Sequence, residues 1–186
     1  MRNKDGLERR IIVNNNDILI RLRYALDIKD SDMIEIFNLG GINVTKEELL
    51  RMLLNPKKVS NFEMDENKFI ADKDMKKCNN YILESFLNGF IIFKRGKQDI
   101  ESSESEKHLF MIKDNKVVNN VMLKKIKIAL SLTNEDMLDI FKASEIILSN
   151  SELSAVLRRE GQRNYKECGD RYARNFLKGL AIKYRK

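Results

Sequence analysis

Tryptophan is absent from this 186-residue chain, histidine and proline occur once each (His108, Pro56), and cysteine occurs twice (Cys78, Cys168). A single proline and eight glycines leave too few turn-formers for a β-sandwich or barrel and favour helices. Two cysteines cannot form a disulfide framework, and with one distant histidine they fall short of the four spaced ligands of a structural zinc site. His108 sits in a polar stretch, where no rigid shell would hold it as a base. No glycine-rich loop precedes a Lys-Ser/Thr pair, and there is no Gly-x-Ser-x-Gly. The expectation is a non-enzymatic protein with no metal and no cofactor. Within Met1–Val13 the only apolar run is Ile11-Ile12-Val13, too short for a signal-peptide core, and no other run has the length to cross a bilayer. A cytoplasmic protein with no membrane role is expected.

What the chain does have is 42% hydrophobic and 34% charged residues, enough for a core beneath an ionic surface. The net charge of +7 is unevenly placed: residues 1–110 carry 19 basic and 19 acidic side chains, whereas 111–186 carry 16 and 9. Arg158 to Lys186 alone holds ten basic residues against Glu160, Glu167 and Asp170. A partner that reads positive charge would dock at that end.

Self-similarity is the strongest signal. Asn15-Asn16-x-x-Leu19 recurs as Asn119-Asn120-x-x-Leu123, an offset of 104, and the match runs without a gap to Leu53 and Leu157, with 13 identities over 39 positions. A second block repeats at an offset of 90: Cys78 with Cys168, Phe86-Leu87-x-Gly89 with Phe176-Leu177-x-Gly179, and Arg95 with Arg185. The fall from 104 to 90 means 14 additional residues in the first copy, placed at about 63–76.

Each copy reads as four helices. The first starts after the Asn pair, Asn being a strong N-cap; the second carries Met33, Ile34 and Phe37 and stops at Gly40-Gly41. The third opens with a capping box, Thr45-x-x-Glu48 or Ser149-x-x-Glu152, and in the first copy Pro56 ends it. The fourth is the longest and contains Gly89 or Gly179, where glycine costs roughly 1 kcal/mol relative to alanine; its presence in both copies points to a close helix–helix approach. The two cysteines, at or just before the fourth helix, read as small buried residues. The expected architecture is all-α, two pseudo-repeated four-helix units: an N-terminal extension over 1–13, a first repeat over 14–97, a polar linker over 98–115 and a second, basic repeat over 116–186.

These motifs, with Lys94-Arg95-Gly96-Lys97 after the first Phe-Leu-Asn-Gly and Glu167-Cys168-Gly169-Asp170 before its counterpart, resemble the YehS-like family of small bacterial proteins, built from a tandem domain of unknown function. The likeness covers about 14–97 and 116–186. It implies the tandem helical architecture and no particular activity.

The functional lead is the basic character of the second repeat. Arg171, Arg174, Lys178 and Arg185 are spaced 3, 4 and 7 apart, within roughly a 60° arc of one helix. The first copy has Tyr81, Glu84, Asn88 and Arg95 at those places, so the shared fold does not require a basic stripe. Lys124, Lys125 and Lys127 on the first helix, and Arg158-Arg159 after the third, are candidates to extend it. The expected partner is acidic, nucleic acid being the obvious case through its phosphates; an alternative is a protein-directed adaptor or homodimer. A helix-turn-helix reader is weakly indicated, because the turn from Asn38 to Thr45 exceeds the usual length.

Overall fold

The computed structural model describes residues 13–54, 75–97 and 110–185. Pro56, His108, residues 63–74 of the insertion, 1–12 of the extension and 98–109 of the linker lie outside them. Among the described residues there are eight helices and no strand. The first four are α1 (Asn15–Ala25), α2 (Asp30–Leu39), α3 (Lys46–Met52) and α4 (Asn80–Arg95). The second four are α5 (Val118–Ala129), α6 (Asn134–Ala143), α7 (Asn150–Leu157) and α8 (Asp170–Tyr184).

The repeat in the sequence is a repeat in bonding. Helices α3 and α7 both start with a complete capping box, Thr45 with Glu48 and Ser149 with Glu152. The α1–α2 and α5–α6 turns pass through left-handed residues at matched places, Asp27 (φ 49°) and Ser131 (φ 52°). After α2 the chain turns at Gly41 (φ 85°), and after α6 at Glu145 (φ 67°). A left-handed backbone costs a residue with a Cβ roughly 1–2 kcal/mol, and glycine nothing. Glu145 is exposed, so Glu145→Gly is expected to raise stability by roughly 0.5–1 kcal/mol. The check is the midpoint of urea unfolding, and an unchanged or lower midpoint would contradict it.

The Asn pair has a different role from the N-cap expected of it. The cap of α1 is Asn14, whose side chain accepts from Asp17 N–H, and α5 starts after Val117 with no side-chain cap. The pair lies inside the first turn and faces inward. Asn16 donates to the Met52 and Lys76 carbonyls (2.9 and 2.8 Å) and accepts from Cys78 N–H at 3.0 Å. Asn120 repeats all three bonds, to the Val156 and Lys166 carbonyls (both 2.8 Å) and from Cys168 N–H at 2.9 Å. A carboxamide offers two donors and an acceptor in one plane, which suits it to tie the end of the third helix to the segment entering the fourth. The preceding residue reaches the fourth helix itself: Asn15 donates to Asn80 Oδ1 at 2.9 Å and Asn119 to Asp170 Oδ1 at 3.0 Å. The interior cannot leave such backbone groups unpaired, so the pair is a structural clamp.

Packing crosses between the two halves. Helix α4 lies along α2 of its own half and along α5 of the other; α8 lies along α6 and α1 in the same way. The first helix of each half therefore rests mainly on the fourth helix of the opposite half, and touches its own fourth helix only slightly. Arg95 and Arg185 mark the exchange. Arg185 donates across to the Tyr24 carbonyl at the end of α1 (2.9 Å), and Arg95 to the Ile128 carbonyl near the end of α5 (3.4 Å). One continuous apolar core results, with Phe37 on Phe86 (ring centroids 5.0 Å apart) and Phe141 on Phe176 (5.3 Å) at matched positions.

Candidate functional site

The basic residues that the sequence puts forward separate into three environments. Lys124, Arg158 and Arg159 line one cavity of about 430 Å³, together with Lys113, Tyr165 and Phe110; among the described residues Glu160 is the one carboxylate in its lining. Lys124 is carried by α5, and the two arginines follow the last turn of α7. The loop that carries them bends through Gly161 (φ 85°) and Asn164 (φ 61°), and is closed by Arg159 N–H donating to Gln162 Oε1 at 2.9 Å. The Arg158 guanidinium donates to the Arg163 carbonyl at 2.7 Å, which fixes its direction. Four cations on one concave wall reinforce each other's field, because low-dielectric walls focus it into the opening.

Tyr165 also lines this cavity. Its hydroxyl is sealed from solvent and has no hydrogen-bond partner. Desolvation first, then the Glu160 and Glu167 carboxylates, raises its pKa above the usual phenol value, so it stays protonated and is a donor. A buried hydroxyl without a partner costs about 1–3 kcal/mol, and an oxygen so sealed gives a ligand in the cavity nothing to bind.

Lys125 is not on the surface at all. It projects from α5 into the contact with α4, where its ammonium meets the Glu84 carboxylate at 2.7 Å and also Asn88 Oδ1. Both side chains of the ion pair are buried. Desolvation pushes the Lys125 pKa down, with Glu84 acting against that. The Glu84 carboxylate also accepts from the Met111 and Ile112 amides, so this interior cluster anchors the strand of chain that brings Phe110 and Lys113 to the cavity. The Lys127 ammonium is likewise spent locally, donating to the Leu132 carbonyl at 2.8 Å.

The third group lies on α8. Arg171 and Lys178 are exposed, whereas Arg174 is half-buried and its Nε is sealed without a hydrogen-bond partner. Arg185 does not continue the stripe: the helix ends at Tyr184, and the guanidinium lies 3.8 Å from the centre of the Tyr24 ring. None of these four lines the cavity, because α8 faces α1 and α6. The cavity and the α8 face are two basic features, not one patch.

Sequence reasoning did not single out Lys113, Phe110 or Tyr165 as site residues. The available signal was an aromatic at each border of a charged stretch, which is weak evidence of a site without the fold. Cys78 and Cys168 are buried and unbridged. Burial pushes both thiols up to about 12, which leaves almost no thiolate for nucleophilic work at neutral pH. Among the described residues no group of three or more His, Cys, Asp or Glu side chains comes together as a metal site, and no helix is long and apolar enough to cross a membrane.

Comparison with known proteins adds family and no chemistry. A family model described as "Protein of unknown function (DUF1456)" matches residues 15–96 and 119–186. The chain is similar to "Uncharacterized protein YehS" of Escherichia coli (strain K12), at 34% identity over 169 residues, which covers 91% of this chain and 95% of that protein. No solved structure matches.

Proposed function

The chain belongs to the DUF1456 family, whose description assigns no activity, and we propose that it is a non-enzymatic cytoplasmic protein that binds nucleic acid through the basic cavity of its second half. The observation that carries this reading is the convergence of Lys113, Lys124, Arg158 and Arg159 on one cavity in which Glu160 is the one carboxylate among the described residues. Arginine forks match phosphate oxygens in geometry as well as charge. A cavity wall built this way reads backbone before sequence. The α8 face, with Arg171 and Lys178 exposed outside the cavity, is a separate surface for the same polyanion.

The test is the binding of a fluorescent oligonucleotide, followed by anisotropy across a range of salt. Neutralising four phosphates gives a log–log slope of about −3 to −4. The triple variant Lys124→Glu/Arg158→Glu/Arg159→Glu is expected to weaken binding by about 100-fold or more at low salt and to flatten the slope. The pair Arg171→Glu/Lys178→Glu is expected to change it only a few-fold. Equal loss from both sets, or none from the cavity set, would overturn the assignment to the cavity. Thermal unfolding by circular dichroism controls for folding, since Arg158 and Arg159 are exposed.

A further inference from the structure

Beside the cavity stands a pair of rings that the packing of the core does not require. Tyr81, in the first turn of α4, and Phe110 are stacked with centroids 5.0 Å apart and planes 16° from parallel. Both are largely exposed, Tyr81 at 56% and Phe110 at 44%. Phe110 is one wall of the basic cavity, and Tyr81 is one wall of a larger neighbouring groove of about 1030 Å³. The stacked pair is therefore the partition between the two. Across it, the groove carries carboxamides joined in a chain, Asn15 donating to Asn80 Oδ1 (2.9 Å) and Asn80 to Asn115 Oδ1 (3.0 Å), with Lys77 and Lys116 offsetting the charge of Glu167 and Asp170 in the same lining.

The platform is rigid before any ligand arrives. Tyr81 belongs to a helix whose Asn79 cap accepts from Ile82 N–H at 2.9 Å. Phe110 directly precedes Met111 and Ile112, whose amides are held by the buried Glu84 carboxylate. Exposed aromatic faces cost free energy in water, which a ligand that covers them returns as affinity. A nucleobase is such a cover: flat, and matched in size to a ring face.

Resting on the nucleic-acid reading above, we propose that the ligand is a single strand, with phosphates in the Lys113–Lys124–Arg158–Arg159 cavity and an unpaired base stacked on the Tyr81–Phe110 pair. A stacking face beside a basic channel is how sequence-tolerant single-strand binders work. In a duplex both faces of each base are already occupied by neighbours, so the rings would have nothing to receive. A cavity of this size also takes a nucleotide-sized group and does not admit the full width of a double helix. The carboxamides beyond Tyr81 carry donors and acceptors suited to base edges, which extends the path of the strand from cavity to groove.

The experiment compares a labelled single strand of roughly 20 nucleotides with the duplex of the same sequence, using wild-type protein, Tyr81→Ala/Phe110→Ala and the conservative Tyr81→Phe/Phe110→Tyr. The single strand is expected to bind at least about tenfold tighter than the duplex. The alanine pair should lose about 10- to 100-fold on the single strand, as expected for one stacked base, and keep the wild-type salt slope, because no phosphate contact is lost. The conservative pair should restore affinity, which a purely structural role for the hydroxyl would not predict. Duplex bound as tightly as the single strand, or an alanine pair that binds like wild type, would overturn the stacking proposal while leaving the cavity intact. Failure of the wild type to bind either probe at low salt would overturn the nucleic-acid reading, and this proposal with it.

Discussion

Gly89→Ala is expected to destabilise the protein by on the order of 3–5 kcal/mol. In an open helix the same change would stabilise by up to about 1 kcal/mol, so the sign itself is diagnostic. A Cβ built on Gly89 would lie 1.8 Å from the Ile36 carbonyl oxygen and 2.7 Å from Gly40 N. Both are backbone atoms of α2 or its end, and no rotamer change can move them aside. Helices α2 and α4 would have to separate along their length, opening the core around Phe37 and Phe86. Gly40→Ala meets the same obstacle from the other side, 1.9 Å from the Ser85 carbonyl oxygen. Gly179→Ala in the second half would meet the Ile140 carbonyl oxygen at 1.9 Å and should behave like Gly89→Ala. Gly169→Ala is the control: nothing lies within 4 Å of its added Cβ and its φ of −68° is ordinary, so its cost should be that of an alanine N-cap on α8, no more than about 1 kcal/mol. Guanidinium unfolding of the four variants reads the series directly. A loss below about 1 kcal/mol at Gly89 would mean that the two helices are not in backbone contact.

The second large effect is expected at the buried ion pair. Glu84→Gln should cost about 3–5 kcal/mol, the usual result of leaving a buried charge without its counter-ion. The pair itself contributes little net stability, because desolvating both ions offsets most of their attraction. The double variant Glu84→Gln/Lys125→Met should therefore be closer to wild type than Glu84→Gln alone. Equilibrium denaturation of the two single variants and the double one completes the cycle; losses that simply add would show that Lys125 and Glu84 do not interact. Glu84→Gln also has a reading at the site. The two Glu84 oxygens accept one each from the Met111 and Ile112 amides and glutamine keeps only one acceptor oxygen, so Phe110 and Lys113 lose half of their anchor and oligonucleotide affinity should fall in this variant although it touches no ligand.

The helical class, the tandem repeat, the capping boxes and the close approach at Gly89 and Gly179 were all legible before any coordinates. Each is written in residues a few positions apart, or in matched residues of two copies. The exchange of partners between halves was not. An apolar face on α1 looks the same whether it meets α4 or α8, so periodicity alone cannot assign the neighbour. The Asn pair was misread for a related reason: Asn is a good cap, and its alternative role depends on the Met52 and Lys76 carbonyls, far along the chain. Lys125 misled because its neighbours Lys124 and Lys127 suggest a solvated face, while its counter-ion is 41 residues away on α4. Of the basic surface, three of the nine anticipated residues, Lys124, Arg158 and Arg159, meet in the cavity. Its other members come from a segment between the repeats and from a loop, where no periodic signal exists.

The pairing of α1 with α8 joins the first and the last of the described helices. During synthesis the first helix leaves the ribosome long before the last, and for that interval its apolar side has no permanent neighbour. The nascent chain can settle its middle, α4 against α5, while the amino-terminal segment waits. The fold of these eight helices thus waits on the fifteen-residue α8, and a chain truncated before it would carry an unsatisfied sticky surface of the kind that chaperones retain and proteases remove.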